Sequence, residues 1–418
     1  MRDFSISLGQ ATLIFLGLLM AAAIAIFLAG PLVPDDKQLA SCVVNLRAPI
    51  GGLSMNCDSP EFLRLATDPK YLFELKNDRQ ARPGYIAAAW LVSRPFFFLP
   101  PVIEKIGFRA MRATPPRFTR PLFDYFPAYL GYVLLDIFFI WLSARLFWSF
   151  FAEDKKISVS VFILSLFFIA NGVFFYYFWS PHVQVFNIFA PIFCLWAAWQ
   201  AYRGAEFWQR NASVLSLLAG LGLLAYTTFC LFLPAVMLGE LWREKRIAKA
   251  GLLRWSKYLI LLALPLASWY LTVILINGSF YNHEAVCCGY GIWHQSANLF
   301  VWAAKLFVAL GQIFFNLLTK NLYLFLTGLA AAIILWRKDF SRRPMLALAV
   351  GVSLIFLIFF SVLTFDPDRV LFAVASVWLA PTALLLEKNN SRRAAAIAAA
   401  VYLAGWIAWM GLIGLGAR

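Results

Sequence analysis

Two carboxylates interrupt an otherwise apolar chain. In NCDSPEFLRLATDPKY, residues 56–71, Asp58 and Glu61 lie one helical turn apart. Ser59, Pro60 and Glu61 ahead of Phe62, Leu63, Leu65 and Ala66 predict a helix with Ser59 at N-cap, Pro60 at N1 and Glu61 at N2. Asp58 then stands just before the cap, where the helix dipole favours its ionised form. An ionised, positioned carboxylate is equipped to act as a general base or a metal ligand. A plainer reading fits the same residues: Asp58 as an auxiliary cap in a solvated loop, Glu61 as support for the helix start. Residue chemistry leaves both open.

The elements that must position these groups are membrane spans. Of 418 residues, 62% are hydrophobic and 14% charged, against roughly 25% charged in soluble domains. The mean hydropathy is +0.74, and several runs reach the roughly 20 apolar residues that cross a bilayer. The net charge of +15 raises nucleic-acid binding as a class, but Lys and Arg excess in such a chain marks cytoplasmic loops. No nucleic-acid partner is expected. The apolar run 11–32 exceeds the ~7–15 residues of a signal-peptide core and predicts an uncleaved first span. Walker, GxGxxG and HExxH patterns do not occur, which argues against an ATPase or a zinc protease.

Basic segments alternate with segments poor in Lys and Arg. Residues 145–156, AYRGAEFWQRN, LWREKRIAKAGLLRWSK, WRKDFSRR and EKNNSRR are expected in the cytoplasm, and FWSPHVQVFN, NGSFYNHEAVCCGYGIWHQ and TFDPDR on the other side. Parity then predicts spans at 11–32, 125–148, 158–178, 185–201, 258–276, 321–336, 344–362, 370–386 and 394–415. The run 212–241 must split into two short helices turning near Tyr226-Thr227-Thr228.

Two apolar stretches are left out of the count. Residues 84–103 carry Arg94-Pro95 at their centre and end near Pro100-Pro101. A charge at mid-bilayer costs about 2.5–3.5 kcal/mol and proline breaks a helix, so these predict helices lying at the external interface. Residues 298–318, with Lys305 at their centre, are assigned there too. A rival map makes both stretches true spans and moves the basic passage KIGFRAMRATPPRFTRP into the cytoplasm. The expected fold class is all-α, a polytopic membrane protein with about 11 transmembrane helices. It forms a single domain over 1–418, with a large first external loop (33–124) carrying interfacial helices, a second large loop (277–320) and a cytoplasmic N-terminus.

CDSPEFLRLA followed by RQARPGYIAAAWLV resembles the first-loop pattern of the GT-C superfamily of polyprenyl-phosphate-sugar-dependent glycosyltransferases, such as dolichyl-phosphate-mannose-protein mannosyltransferases and lipid A aminoarabinose transferases. There an acidic residue just after the first span precedes a short helix, and an Arg-Pro-Gly-Tyr-type stretch opens an interfacial helix. SARLFW, SVLSLLAGLGLLAYTTFCLFLPAVML and FDPDRVLFAVASVWLAP are similar to later motifs of the same family. The chain departs from the pattern at Arg369-Val370, where the family often shows Arg-Tyr. It also lacks a large soluble C-terminal domain and an Asp-x-Asp or Glu-x-Asp in the second loop, where SPHVQ offers His182.

The resemblance implies an inverting transferase that moves a sugar from a polyprenyl-phosphate donor to a lipid, glycan or protein acceptor. It would sit in the inner or plasma membrane with its active site on the extracytoplasmic face. Asp58 becomes the catalytic base and Glu61 the second choice. Arg82 and Arg369 come forward for the phosphate, with Arg79, Tyr85 and His182 behind them, since guanidinium geometry suits phosphate. The plainer reading of each Arg is a snorkelling anchor. No cofactor beyond the lipid-linked donor is required, and a divalent metal is placed in doubt by the missing second-loop acids. Cys42 and Cys57 share the first loop, where an oxidising setting suggests a disulfide beside Asp58. Cys194 and Cys230 fall in spans as packing residues. Cys287-Cys288, near His283 and His294, lack zinc-site spacing. Two other classes compete. A transporter or flippase of lipid-linked sugars would show repeats and ionisable residues within broken spans, and a polysaccharide polymerase or ligase would present its large loop late.

Overall fold

The computed structural model describes residues 5–29, 44–48, 51–55, 58–75, 77–106, 119–246, 249–282, 298–320, 322–338, 343–363, 367–387 and 391–416. These are almost entirely helical. The segment after α1 (Leu8–Ala29) holds α2 (Ser59–Thr67), α3 (Pro83–Ser93) and α4 (Leu99–Ile106). Then come α5 (Leu122–Ser149), α6 (Val159–Ser165), α7 (Gly172–Tyr177), α8 (Phe186–Arg203), α9 (Glu206–Leu223), α10 (Phe232–Glu244) and α11 (Lys249–Asn277). The chain closes with α12 (Leu299–Lys320), α13 (Leu322–Lys338), α14 (Arg343–Leu363), α15 (Pro367–Glu387) and α16 (Arg392–Gly416). Two antiparallel ribbons accompany them, β1 (Ser5–Ser7) with β4 (Lys156–Ser158) and β2 (Val44–Ala48) with β3 (Gly51–Met55). Among the described residues, α1, α5, α8, α11, α14 and α16 are long and apolar enough to cross a membrane. The protein is a membrane-embedded helical bundle.

Its two ends differ in chemistry. At one end β1 pairs with β4, and the Ser158 hydroxyl donates to Glu387 Oε1 at 3.2 Å. α8 finishes at this end, where Arg243 donates to the Ala201 carbonyl at 2.8 Å and Arg254 pairs with Glu240 and Glu244. Lys155, Lys156, Arg203, Lys245, Arg246 and Lys249 adjoin these contacts in the chain. At the opposite end the Tyr129 hydroxyl donates to the Trp179 carbonyl and the Trp179 indole to the Ala23 carbonyl. There too the Gly84 amide meets the Leu224 carbonyl, and the Trp269 indole and Tyr281 amide both meet Gln80. Along α5, Tyr129 is about twenty residues from Ser149, roughly 30 Å at 1.5 Å per residue. That matches the roughly 30 Å hydrocarbon thickness of a bilayer.

This parity bears on α12. The chain is at the second end at Tyr281. Glu387 is at the first, and α15, α14 and α13, joined by short connections, alternate in direction and return Leu322 to the second. Tyr281 and Leu322 thus both lie at the second end.

Other expectations change. Residues 158–178 were expected as one span and are three pieces: α6, a 3₁₀ turn at Leu166–Phe168, and α7. Asn171 makes the break. Its buried amide donates to the Phe167 and Phe168 carbonyls at 2.9 Å each while its oxygen accepts the Phe174 amide at 3.0 Å. One side chain thus ends one helix and caps the next. Residues 84–103 do not lie flat. α3 runs antiparallel beside the first half of α5, Tyr85 meeting Asp136 and Ala89 meeting Gly131. Its 11 residues reach about 16 Å, too short to cross, and it ends in a 3₁₀ turn at Arg94–Phe96. The 206–244 segment breaks where expected, at Tyr226, with a 3₁₀ turn at Thr227–Leu231 between α9 and α10.

Gly131 permits the α3–α5 contact, because a Cβ there would stand 2.5 Å from the Ala89 carbonyl oxygen. Gly131→Val should push α3 off α5 and cost about 1–3 kcal/mol. The expected result is a lowered unfolding temperature for the detergent-solubilised protein, while a valine at exposed Gly9 leaves it in place.

Candidate functional site

Asp58 occupies the N-cap position of α2, one residue earlier than the sequence implied, with φ −86° and ψ −24°. Its side chain makes no cap hydrogen bond. Instead Oδ1 pairs with Arg79 Nη2 at 2.5 Å and Oδ2 meets His182 Nε2 at 3.1 Å. The carboxylate is 40% exposed, while Arg79 and His182 are 15% and 5% exposed. Two deeply seated nitrogen groups therefore hold a carboxylate that still faces the solvent side.

The buried Phe62 ring lies beneath this trio. It meets the rings of His182 at 5.9 Å, Tyr132 at 6.0 Å and Tyr85 at 6.5 Å, and the Arg79 guanidinium rests over it at 4.9 Å. The Tyr132 hydroxyl donates to the Phe62 carbonyl at 3.1 Å, which ties α2 to α5. Ser59 and Ser180 share a buried hydroxyl contact of 3.1 Å that docks the start of α2 on the loop bearing His182. The His182 ring lies 5.4 Å from that of Tyr177.

Arg79 is held through its backbone. Asn77, buried between α2 and the turn, accepts from the Arg79 amide at 2.8 Å and donates to the Tyr71 carbonyl and to Glu61 Oε1, each at 3.1 Å. Buried Gln80 donates to the Leu72 carbonyl at 3.0 Å and accepts from the Tyr281 amide. Glu61 is committed to this scaffold. It takes Arg64 bidentately at 2.9 and 3.0 Å as well as Asn77, and its hydrogen bonds raise the Arg64 pKa further. Glu61 thus braces the turn that carries Arg79.

Tyr85 is buried, and its hydroxyl donates to Asp136 Oδ1 at 2.6 Å. Burial first, and Asp136 second, raise its pKa well above the usual value, so it stays a neutral donor that fastens α3 to α5. Arg82 precedes α3, with its guanidinium 5.6 Å from the Tyr226 ring centre. Tyr226 in turn donates to Asn187 at 2.8 Å. Arg369 lies in the first turn of α15, and its side chain is outside the described set, as are Cys42, Cys57, Cys287, Cys288, His283 and His294. Cys194 and Cys230 are free thiols. Among the described residues no three His, Cys, Asp or Glu side chains gather as a metal site. A cavity of about 260 Å³ lined by Arg64, Thr67, Asp68, Tyr71, Thr119, Arg120 and Tyr125 does not include the trio.

The structure thus brings Asp58, Arg79 and His182 together from two loops, with Arg82 close by in the chain. Sequence reasoning missed Asn77, Gln80, Ser180 and Asp136. The run NDRQ carried a signal, since consecutive polar residues between apolar helices need partners when buried. Chemically, the trio offers a proton acceptor flanked by cation-capable donors at a membrane surface. The chain matches no family model, no curated protein and no solved structure.

Asn77→Ala removes three hydrogen bonds from a buried site and should cost about 2–3 kcal/mol. Limited trypsin digestion should then cut after Arg79 much faster than in the unaltered protein. Asn77→Asp, which keeps the acceptor for the Arg79 amide, should fall between the two.

Proposed function

We propose that the chain is an integral-membrane glycosyltransferase of the GT-C kind, transferring a sugar from a polyprenyl-phosphate donor to a lipid, glycan or protein acceptor. The observation that carries this reading is the first-loop carboxylate, Asp58, set between Arg79 and His182 at one end of the bundle. That end stands about 30 Å from the one rich in Lys and Arg. By the positive-inside tendency the basic end is cytoplasmic, so the trio faces the extracytoplasmic side. The eleven-span count is kept under this reading, with α9 and α10 as the short pair and α6 with α7 as one broken crossing.

The chemistry follows from the side chains. Asp58 accepts the proton of the acceptor hydroxyl, whose oxygen attacks the anomeric carbon from the face opposite the phosphate. The bond between that carbon and the phosphate oxygen breaks, and polyprenyl phosphate leaves with the electron pair and an added negative charge. Arg79 and Arg82, with Arg369 contributed from α15, are the cations for that charge. The polyprenyl tail remains in the bilayer beside the bundle. One observation favours the transporter reading instead: Asp136 is a buried ionisable residue midway along a span, beside a crossing broken at Asn171. Its pairing with Tyr85 gives it a structural occupation.

Purified Asp58→Asn should fold and lose at least about 100-fold in rate, read as polyprenyl phosphate released from a panel of polyprenyl-phosphate hexoses and pentoses. Full activity in that variant removes the assignment. For orientation, single cysteines at Leu75 and Lys155 in a cysteine-free background should label from outside and from the cytoplasm respectively. The reverse pattern inverts the map.

A further inference from the structure

Both oxygens of the proposed base are engaged, Oδ1 by Arg79 at 2.5 Å and Oδ2 by His182 at 3.1 Å. A carboxylate held at both oxygens by strong donors is a poor proton acceptor, so something must vacate it before transfer. The guanidinium shows what. Arg79 Nε is buried and has no hydrogen-bond partner among the described residues, although an arginine fork presents five N–H donors. Its pairing with Asp58 leaves one donor stranded, which is costly in a desolvated place, and a tetrahedral oxyanion meeting Nε and Nη together would satisfy it.

We propose that Arg79 is a latch: it neutralises Asp58 until the phosphate of the lipid-linked donor takes over its guanidinium, releasing Asp58 for the acceptor's proton. This rests on the glycosyltransferase reading and adds to it an order of events. The backbone of Arg79 is fixed by Asn77, and its neighbour Gln80 by Leu72 and Tyr281, so the exchange is confined to the side chain. The guanidinium rests on the face of Phe62, a contact that tolerates sliding because it has no single donor direction. The pull also grows as the reaction runs. The donor phosphate is a diester with one charge, and the departing monoester carries up to about two, so Arg79 is held away from Asp58 while the base is in use. Base and phosphate compete for one cation, and donor binding is what unmasks the base.

A binding cycle tests this with decaprenyl phosphate titrated against protein in nanodiscs of fixed phospholipid composition. If Asp58 competes for Arg79, Asp58→Asn binds the lipid about tenfold tighter than the unaltered protein. Arg79→Gln binds it more weakly, and the double variant binds no more tightly than Arg79→Gln alone. Tightening that persists in the Arg79→Gln background would be simple charge repulsion and would overturn the latch, as would unchanged or weaker binding by Asp58→Asn. Asp58→Ala repeats the arm should the asparagine variant misfold. Absence of decaprenyl phosphate binding in all forms would remove the donor reading itself, and the latch with it. The same cycle with inorganic phosphate separates sources. Coupling with the free ion but not the lipid keeps the exchange and removes the lipid-borne ligand.

Discussion

The ion pair between Asp58 and Arg79 is the contact around which the two loops close. It joins the start of α2 to the turn before α3, and His182 brings the second loop onto the same carboxylate. Charges that are partly withdrawn from water attract each other more strongly than in bulk, but the pair holds only where its neighbours are satisfied. That condition explains why so many polar residues without chemistry of their own surround it. Asn77 and Gln80 fix the turn, Glu61 and Arg64 brace it, and the Ser59–Ser180 contact sets the height of α2 against the loop bearing His182. Each removes a way for Arg79 or Asp58 to drift toward solvent.

The membrane imposes the second constraint. Irregular backbone at bilayer depth persists only where side chains or neighbouring helices replace the lost hydrogen bonds. Asn171 does this for the break between α6 and α7 by bonding in both directions. The Tyr85–Asp136 bond does the corresponding work between helices, since a carboxyl group buried in α5 requires a donor and α3 brings one. Gly131 then lets the α3 backbone come close enough for that bond to form. The short 3₁₀ segments Pro69–Phe73, Val183–Val185 and Thr227–Leu231 all belong to the end that carries Asp58. Irregularity is concentrated where the site needs loops, and the basic end is reached by long helices.

Much of this was legible in the sequence, and the remainder was hidden for a definite reason. Apolar run lengths gave most helices, Arg94-Pro95 gave the end of α3, and the basic segments gave the alternation of ends. Ser59-Pro60-Glu61 placed α2 to within one residue. These signals are local. The break at Asn171 carried a local signal, the turn dipeptide Asn171-Gly172, but the apolar residues on both sides were read as one continuous span. The bond between Tyr85 and Asp136 spans 51 positions. The meeting of Asp58 with His182 spans 124 positions, and no periodicity encodes that. The composition of the site was readable; its pairing was not.

The pairing gives the departure at SPHVQ a physical meaning. Two loops that each bring an acid to one point repel, and they need a divalent cation between them to close. Here the second loop brings an imidazole and the first loop its own guanidinium to the Asp58 carboxylate. Under the proposed reading the charge that a metal would place beside the phosphate is supplied by Arg79 and Arg82. Because Arg79 also neutralises the base, the same positive charge serves the empty and the occupied site in turn. A metal ion held between two acids stays with them, whereas a guanidinium on a side chain can change partners. Under the proposed reading, His182 in the second loop and the closeness of Arg79 to Asp58 are two parts of one electrostatic solution.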